Sequence, residues 1–153
     1  WCTVAATGVY YPPRLCLIDV VAGNEECLTF GEIAEPDFAP SGRTIVFASD
    51  ATGQFEIWKA EVTANRQLVN HAQLTRGGAN QPSRSPAFSS DGLWVVFQRD
   101  LDPGDGENWQ LHIVRADGVG VRSLETAGED PVMHGGGGAI PGALRTFLPS
   151  VTK

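Results

Sequence analysis

The densest group of side chains able to do chemistry is the run Asp100-Leu101-Asp102-Pro103-Gly104-Asp105-Gly106-Glu107-Asn108. Asp100, Asp102, Asp105 and Glu107 are hard oxygen ligands on a glycine-punctuated loop. Such a loop can wrap Ca²⁺, which takes about six to eight oxygens. The spacing is D-x-D-x-D-G with one residue inserted, and no bidentate Glu follows at the EF-hand position, so an EF-hand is excluded. The competing reading is an acidic turn, since turns favour Asp, Gly, Asn and Pro.

The thiols form a second group: Cys2, Cys16 and Cys27. Cys16 and Cys27 flank Val21-Ala22-Gly23-Asn24, a hairpin-like turn signal that would set them opposite each other. A cross-strand disulfide there, or one tying down Cys2, fits an oxidising compartment. Three small buried hydrophobes fit a reducing one. Zinc is not expected, because there is no C-x-x-C and His71, His112 and His134 are scattered.

Nothing assembles a catalytic set. The run His134-Gly135-Gly136-Gly137-Gly138 is similar to an oxyanion loop, but that chemistry needs a G-x-S-x-G nucleophile elbow, which is absent. No Ser-His-Asp or Cys-His order is tied to a known elbow, and there is no phosphate loop. The expectation is a non-enzymatic protein. Aromatic residues offer contact surface instead: Trp58, Trp94 and Trp109 fall on strand-like runs, where packing between repeated sheets is the first expectation. Tyr10 and Tyr11 fall in a loop before Pro12-Pro13, a better place for a subunit interface.

Composition narrows the class. The 153 residues carry a net charge of −7, with 18 Asp and Glu against 11 Lys and Arg. An acidic chain without a basic stripe is not expected to bind nucleic acid or anionic membrane by charge. No apolar run approaches the roughly 20 residues of a bilayer span. The sequence opens on Trp1 and its single methionine is Met133, which points to a removed signal peptide or a longer product. With the cysteines, this places the protein outside the cytoplasm, extracellular or periplasmic.

The elements that position these residues repeat. The segment from Pro36 to Asp50, PDFAPSGRTIVFASD, recurs fifty residues later from Pro86 to Asp100 as PAFSSDGLWVVFQRD. Pro, Phe, Gly, Val, Phe and Asp are identical without a gap. One copy reads as a strand around Phe38 or Phe88, then a tight turn at Pro40-Ser41-Gly42 or Ser90-Asp91-Gly92. A second strand follows, Ile45-Val46-Phe47 or Val95-Val96-Phe97, apolar enough to be buried on both faces. The third strand comes after Thr52-Gly53 or after the acidic loop, and a short fourth ends near Gln73-Leu74-Thr75 or Arg122-Ser123-Leu124. Residues 3 to 20 align with 45 to 62, predicting strands at Thr3 to Thr7, Leu15 to Val20 and about Glu26 to Phe30. No stretch has helical periodicity, so the fold is all-β.

The motif Pro-x-Phe-(Ser/Ala)-(Pro/Ser)-(Ser/Asp)-Gly before a hydrophobic strand resembles the TolB-like, WD40-like β-propeller repeat. The resemblance implies four-stranded antiparallel blades: a partial blade at 1–30, blades at 31–80 and 81–128, and a partial blade at 129–153. It leaves function open, because similar blades occur in periplasmic partner-binding proteins, in propellers of peptidases and in cell-surface proteins.

Blades take about 40 to 50 residues and rings about four to eight blades, so three blades make a partial, open propeller. The first blade lacks its first strand, whereas Asp130-Pro131-Val132-Met133 and Leu144 to Leu148 resemble surplus strands. Completion by another chain is therefore expected, with Val4, Tyr10, Tyr11, Phe147 and Leu148 at the subunit interface. The functional expectation is self-assembly by strand complementation, into an oligomer or a filament. The alternative is a protein-binding propeller module or a piece of a propeller-containing hydrolase. Partners are copies of itself or another protein, and no cofactor is expected unless the acidic loop holds Ca²⁺.

Overall fold

A computed structural model describes residues 13–102, 104 and 108–124. Ten strands and no helix occur among them: β1 (Leu15–Ile18), β2 (Glu25–Leu28), β3 (Ile33–Phe38), β4 (Thr44–Ser49), β5 (Glu56–Val62), β6 (Leu68–Gln73), β7 (Ser83–Phe88), β8 (Trp94–Asp100), β9 (Trp109–Arg115) and β10 (Arg122–Ser123). They form a two-stranded sheet β1-β2 and two four-stranded sheets, β3-β4-β5-β6 and β7-β8-β9-β10. Every pairing is antiparallel between consecutive strands.

The repeat is visible in the geometry. Gly42 and Gly92 hold φ of 67° and 71° in the β3–β4 and β7–β8 turns, a conformation that costs glycine little. The first strand of each large sheet is bulged at the same place, between Ala34 and Asp37 and between Arg84 and Ala87. In each bulge the residue before proline, Glu35 or Ser85, has positive φ. Turn carboxylates cap their own loops: Ser89 Oγ and the Leu93 N–H bond Asp91 and lower its pKa. Asp117 is likewise lowered, first by the Val119 N–H.

Alternation along β4 links the layers. Ile45 and Phe47 belong to a cluster with Leu15, Ile33 and Ala60, facing β1-β2. Val46 and Ala48 belong to a second cluster with Ile57, Leu74, Phe88, Val95, Phe97 and Val114. The sheet β3–β6 is thus covered on both faces, as its apolar run requires. Burying one such side chain fully contributes about 1.5–3 kcal/mol.

Two expectations change. The strand predicted to run to Val20 ends at Ile18, because the Asp19 carboxylate accepts the Val21 and Ala22 N–H groups and closes a turn. Val20 is left 93% exposed. The run Val95-Val96-Phe97 is fully buried on one face only: Val95 and Phe97 are inaccessible, but Val96 is half-buried and Gln98 exposed. No further sheet covers that side among the described residues.

Cys16 and Cys27 stand opposite each other in β1-β2 and are joined by a disulfide. A two-stranded ribbon is marginal alone in water. Closing a loop of sequence separation 11 constrains the unfolded chain by about 3 kcal/mol. Dithiothreitol is therefore expected to raise amide hydrogen exchange in Leu17 and Glu26 while β4 stays protected. Unchanged exchange in β1-β2 would show that packing on Leu15 and Leu28 suffices.

Candidate functional site

The chemistry of this molecule is concentrated at the seams between sheets. At the start of β5 the Glu56 side chain is 2% exposed, at the seam with the following sheet. Its carboxylate accepts hydrogen bonds from Thr75 Oγ1 (2.5 Å), Gln54 Nε2 (2.8 Å), the Gly77 N–H (2.6 Å) and Ser83 Oγ (3.2 Å). Arg99, from β8, lies 3.8 Å away through its NH2 group and donates from Nε to Ser83 Oγ. Burial lowers the Arg99 pKa, and the charge of Glu56 opposes that shift. A buried carboxylate needs such a set of donors, because an unpaired charge there would cost several kcal/mol.

The inner strands add a second fastening. Glu35 of β3 accepts the Ser85 N–H of β7 at 2.6 Å, and Asp37 accepts the Phe88 N–H at 2.8 Å. At the outer part of the same seam, Lys59 Nζ donates to the Ala116 carbonyl at 2.8 Å. Charge-assisted bonds of this type are roughly twice as strong as neutral ones.

The far side of β7–β10 repeats the same lattice of positions. Ile57 and Leu74 of β3–β6 correspond to Leu111 and Leu124, since Leu74 bonds Ile57 across its sheet as Leu124 bonds Leu111. Ile57 is 0% exposed and Leu111 is 43% exposed. Leu93, Val119 and Val121 are also exposed. Trp94 lies on this sheet beneath the guanidinium groups of Arg115 and Arg122, at 5.8 and 5.3 Å. Among the described residues no further sheet lies on this face.

The predicted site residues fall as follows. Asp100 is buried and accepts the Asp102 N–H, and Asp102 accepts the Gly104 N–H, so each spends an oxygen on its own loop. Asp105 and Glu107 lie outside the described residues, as do Cys2, Val4, Tyr10, Tyr11, Phe147 and Leu148. Trp58 packs edge-on against Phe30, between the small sheet and β3–β6. Glu56, Arg99, Glu35 and Asp37 were missed as a set. The available signal was Arg99 replacing Ser49 in the repeat, a bulky charge ending a buried strand.

Antiparallel four-stranded sheets stacked face to face, with first strands fastened together at one edge, are blades of a β-propeller. The blades are of the TolB type. A solved structure described as a TolB from Agrobacterium tumefaciens is 28% identical and superposes with a TM-score of 0.56, over 71% of this chain and 39% of that one. TolB from Acinetobacter baumannii, 21% identical, has the same fold with a TM-score of 0.55, over 76% of this chain and 27% of that one. An uncharacterised protein of Agrobacterium fabrum is 31% identical in an alignment 115 residues long that covers 70% of this chain. The chain spans 36% of the length of that relative. No family model matches the chain.

Proposed function

We propose that this protein acts by association rather than catalysis, its open blade face being completed by a propeller blade of a second copy. The observation that carries the reading is the contrast between Ile57, sealed between two sheets, and its counterpart Leu111, 43% exposed on a side where no further sheet is described. The same apolar positions that bind one blade to the next are repeated where no next blade is described. A second copy supplies a sheet of matching chemistry, and head-to-tail contacts of this kind close into a ring or run on as a filament. The buried Glu56 and Arg99 support a non-catalytic role, because their contacts fasten blades. The disulfide supports an extracytoplasmic location, where such bonds persist.

Sedimentation velocity tests this. The full chain is expected to sediment as a concentration-dependent oligomer, and Leu111→Lys, which places a charge on the exposed face, is expected to shift it toward monomer with unchanged thermal stability. A monomer at every concentration, or an oligomer indifferent to Leu111→Lys, would sink the proposal.

A further inference from the structure

Beside the disulfide of β1-β2 stands the carboxylate of Glu25. Cys16 and Cys27 are opposed in register with their Cα atoms 4.0 Å apart, the closely approaching kind of antiparallel pair. Glu25 comes two residues before Cys27, so its side chain leaves the same face of β2. Its Oε1 lies 2.7 Å from Cys27 Sγ. A disulfide sulfur has no proton to donate, so this contact sets lone pairs against lone pairs, which a cation between them turns into ligation. The two sulfurs and the carboxylate lie within 4.8 Å of one another. Both cysteines are half-buried and Glu25 is exposed, so solvent reaches the group. Leu15 and Leu28 anchor the other face of the ribbon to β3–β6. Residues 15–28 include Asp19, Glu25 and Glu26 but no Lys or Arg, a local charge that favours a cation.

We propose that this ribbon, once its disulfide is reduced, binds Zn²⁺ through Cys16, Cys27 and Glu25. Reduction by a dithiol breaks the S–S bond: two electrons and two protons pass to the two sulfurs, and the dithiol becomes a disulfide itself. Zinc then displaces the two thiol protons, which leaves two thiolates, one carboxylate and a fourth position for water. Ligands at about 2.3 Å for sulfur and about 2.0–2.2 Å for oxygen stand on the order of 3.5–3.8 Å apart around a tetrahedral ion. Side-chain rotation within the 4.8 Å group reaches that spacing without moving the strands. Thiolates select zinc over the hard ions Ca²⁺ and Mg²⁺. The set is hidden from linear spacing because the hairpin, not a C-x-x-C turn, joins cysteines of sequence separation 11. Metal and disulfide are thus alternative staples of one ribbon, and zinc favours the reduced form by mass action.

The full chain carrying Cys2→Ser, whose remaining thiols are Cys16 and Cys27, tests the site after reduction with dithiothreitol and anaerobic removal of the reductant. Titration of Zn²⁺ against a chromogenic chelator is expected to give one ion per chain. The reduced chain should bind it more tightly than the oxidised chain by a factor on the order of a hundred or more. Co²⁺ in its place should show a thiolate-to-metal charge-transfer band, and Ca²⁺ should not compete. Glu25→Gln should weaken zinc by about tenfold or more, and Cys27→Ser further still. The amides of Leu17 and Glu26 should be protected from hydrogen exchange in the zinc-bound chain, which places the metal on the folded ribbon. Equal affinity of the reduced and oxidised chains, one Zn²⁺ shared by two chains, unaltered affinity in Glu25→Gln, or ribbon amides left unprotected at saturating zinc would each overturn the proposal. Stoichiometry is counted per chain, so blade association does not alter the readout, and the two proposals stand or fall separately.

Discussion

Replacing Glu56 with alanine is expected to destabilise the fold by about 3–5 kcal/mol, the usual consequence of removing one partner from a buried ionic pair. The change strands four donors at once, from Gln54, Thr75, Gly77 and Ser83, and leaves the Arg99 guanidinium facing an uncharged cavity. In a chain of this size that corresponds to a thermal midpoint lower by about 6–20 °C. Pairing the change with Arg99→Met separates the two contributions. Because the residues share Ser83, their effects should be non-additive, with the double variant less unstable than the sum by about 1 kcal/mol or more. Urea unfolding checks both statements, and a Glu56→Ala variant within about 0.5 kcal/mol of the parent would remove the network from the account of stability.

Phe97→Ala is expected to cost about 3–5 kcal/mol, as for other large rings deleted from a core. Phe97 is fully buried in the cluster that joins the two large sheets. Its ring stacks on His112 at 5.6 Å and lies 5.3 Å from the Arg99 guanidinium. The deletion therefore loosens both the apolar and the ionic fastening of one seam. Native-state hydrogen exchange should show β7–β9 losing protection before β4 and β5, since nearest-neighbour interfaces carry much of the stability of stacked repeats. The same truncation at Leu111, exposed on the open side, should cost much less, and equal losses at the two positions would contradict this assignment of the seam.

Much of the architecture is local and was legible for that reason. The turn at Gly42 and its copy at Gly92, the apolar strand after each, and the lack of helical spacing are properties of short windows, and the repeat doubled each signal. The turn between Cys16 and Cys27 was equally readable, because a hairpin and its cross-strand partners lie within a dozen residues. What escaped depends on distant partners. Glu56 reads as an ordinary strand-edge acid until Ser83 and Arg99 arrive from the next blade. The half-exposed face of Val96 escaped because periodicity tells that a strand has two apolar sides, not how many neighbours stand beside it. Val20 failed for a local reason that outranked its alignment: Asp19 claims the two following N–H groups for a turn.

The paired carboxylates of β3 have one more consequence. Glu35 and Asp37 reach forward to two backbone N–H groups of β7, but at the matching positions β7 itself carries Ser85 and Ala87. The two blades look alike in their turns and cores and differ in what they hand to their successor. They are therefore not interchangeable tiles. A blade docked behind β7–β10 meets a hydroxyl and a methyl where the blade behind β3–β6 met two anions. A transposed order would abandon the Ser85 and Phe88 amides without acceptors. Succession from β3–β6 to β7–β10 is thus written in the inner strands, a form of addressing that the shared core, by its sameness, cannot provide.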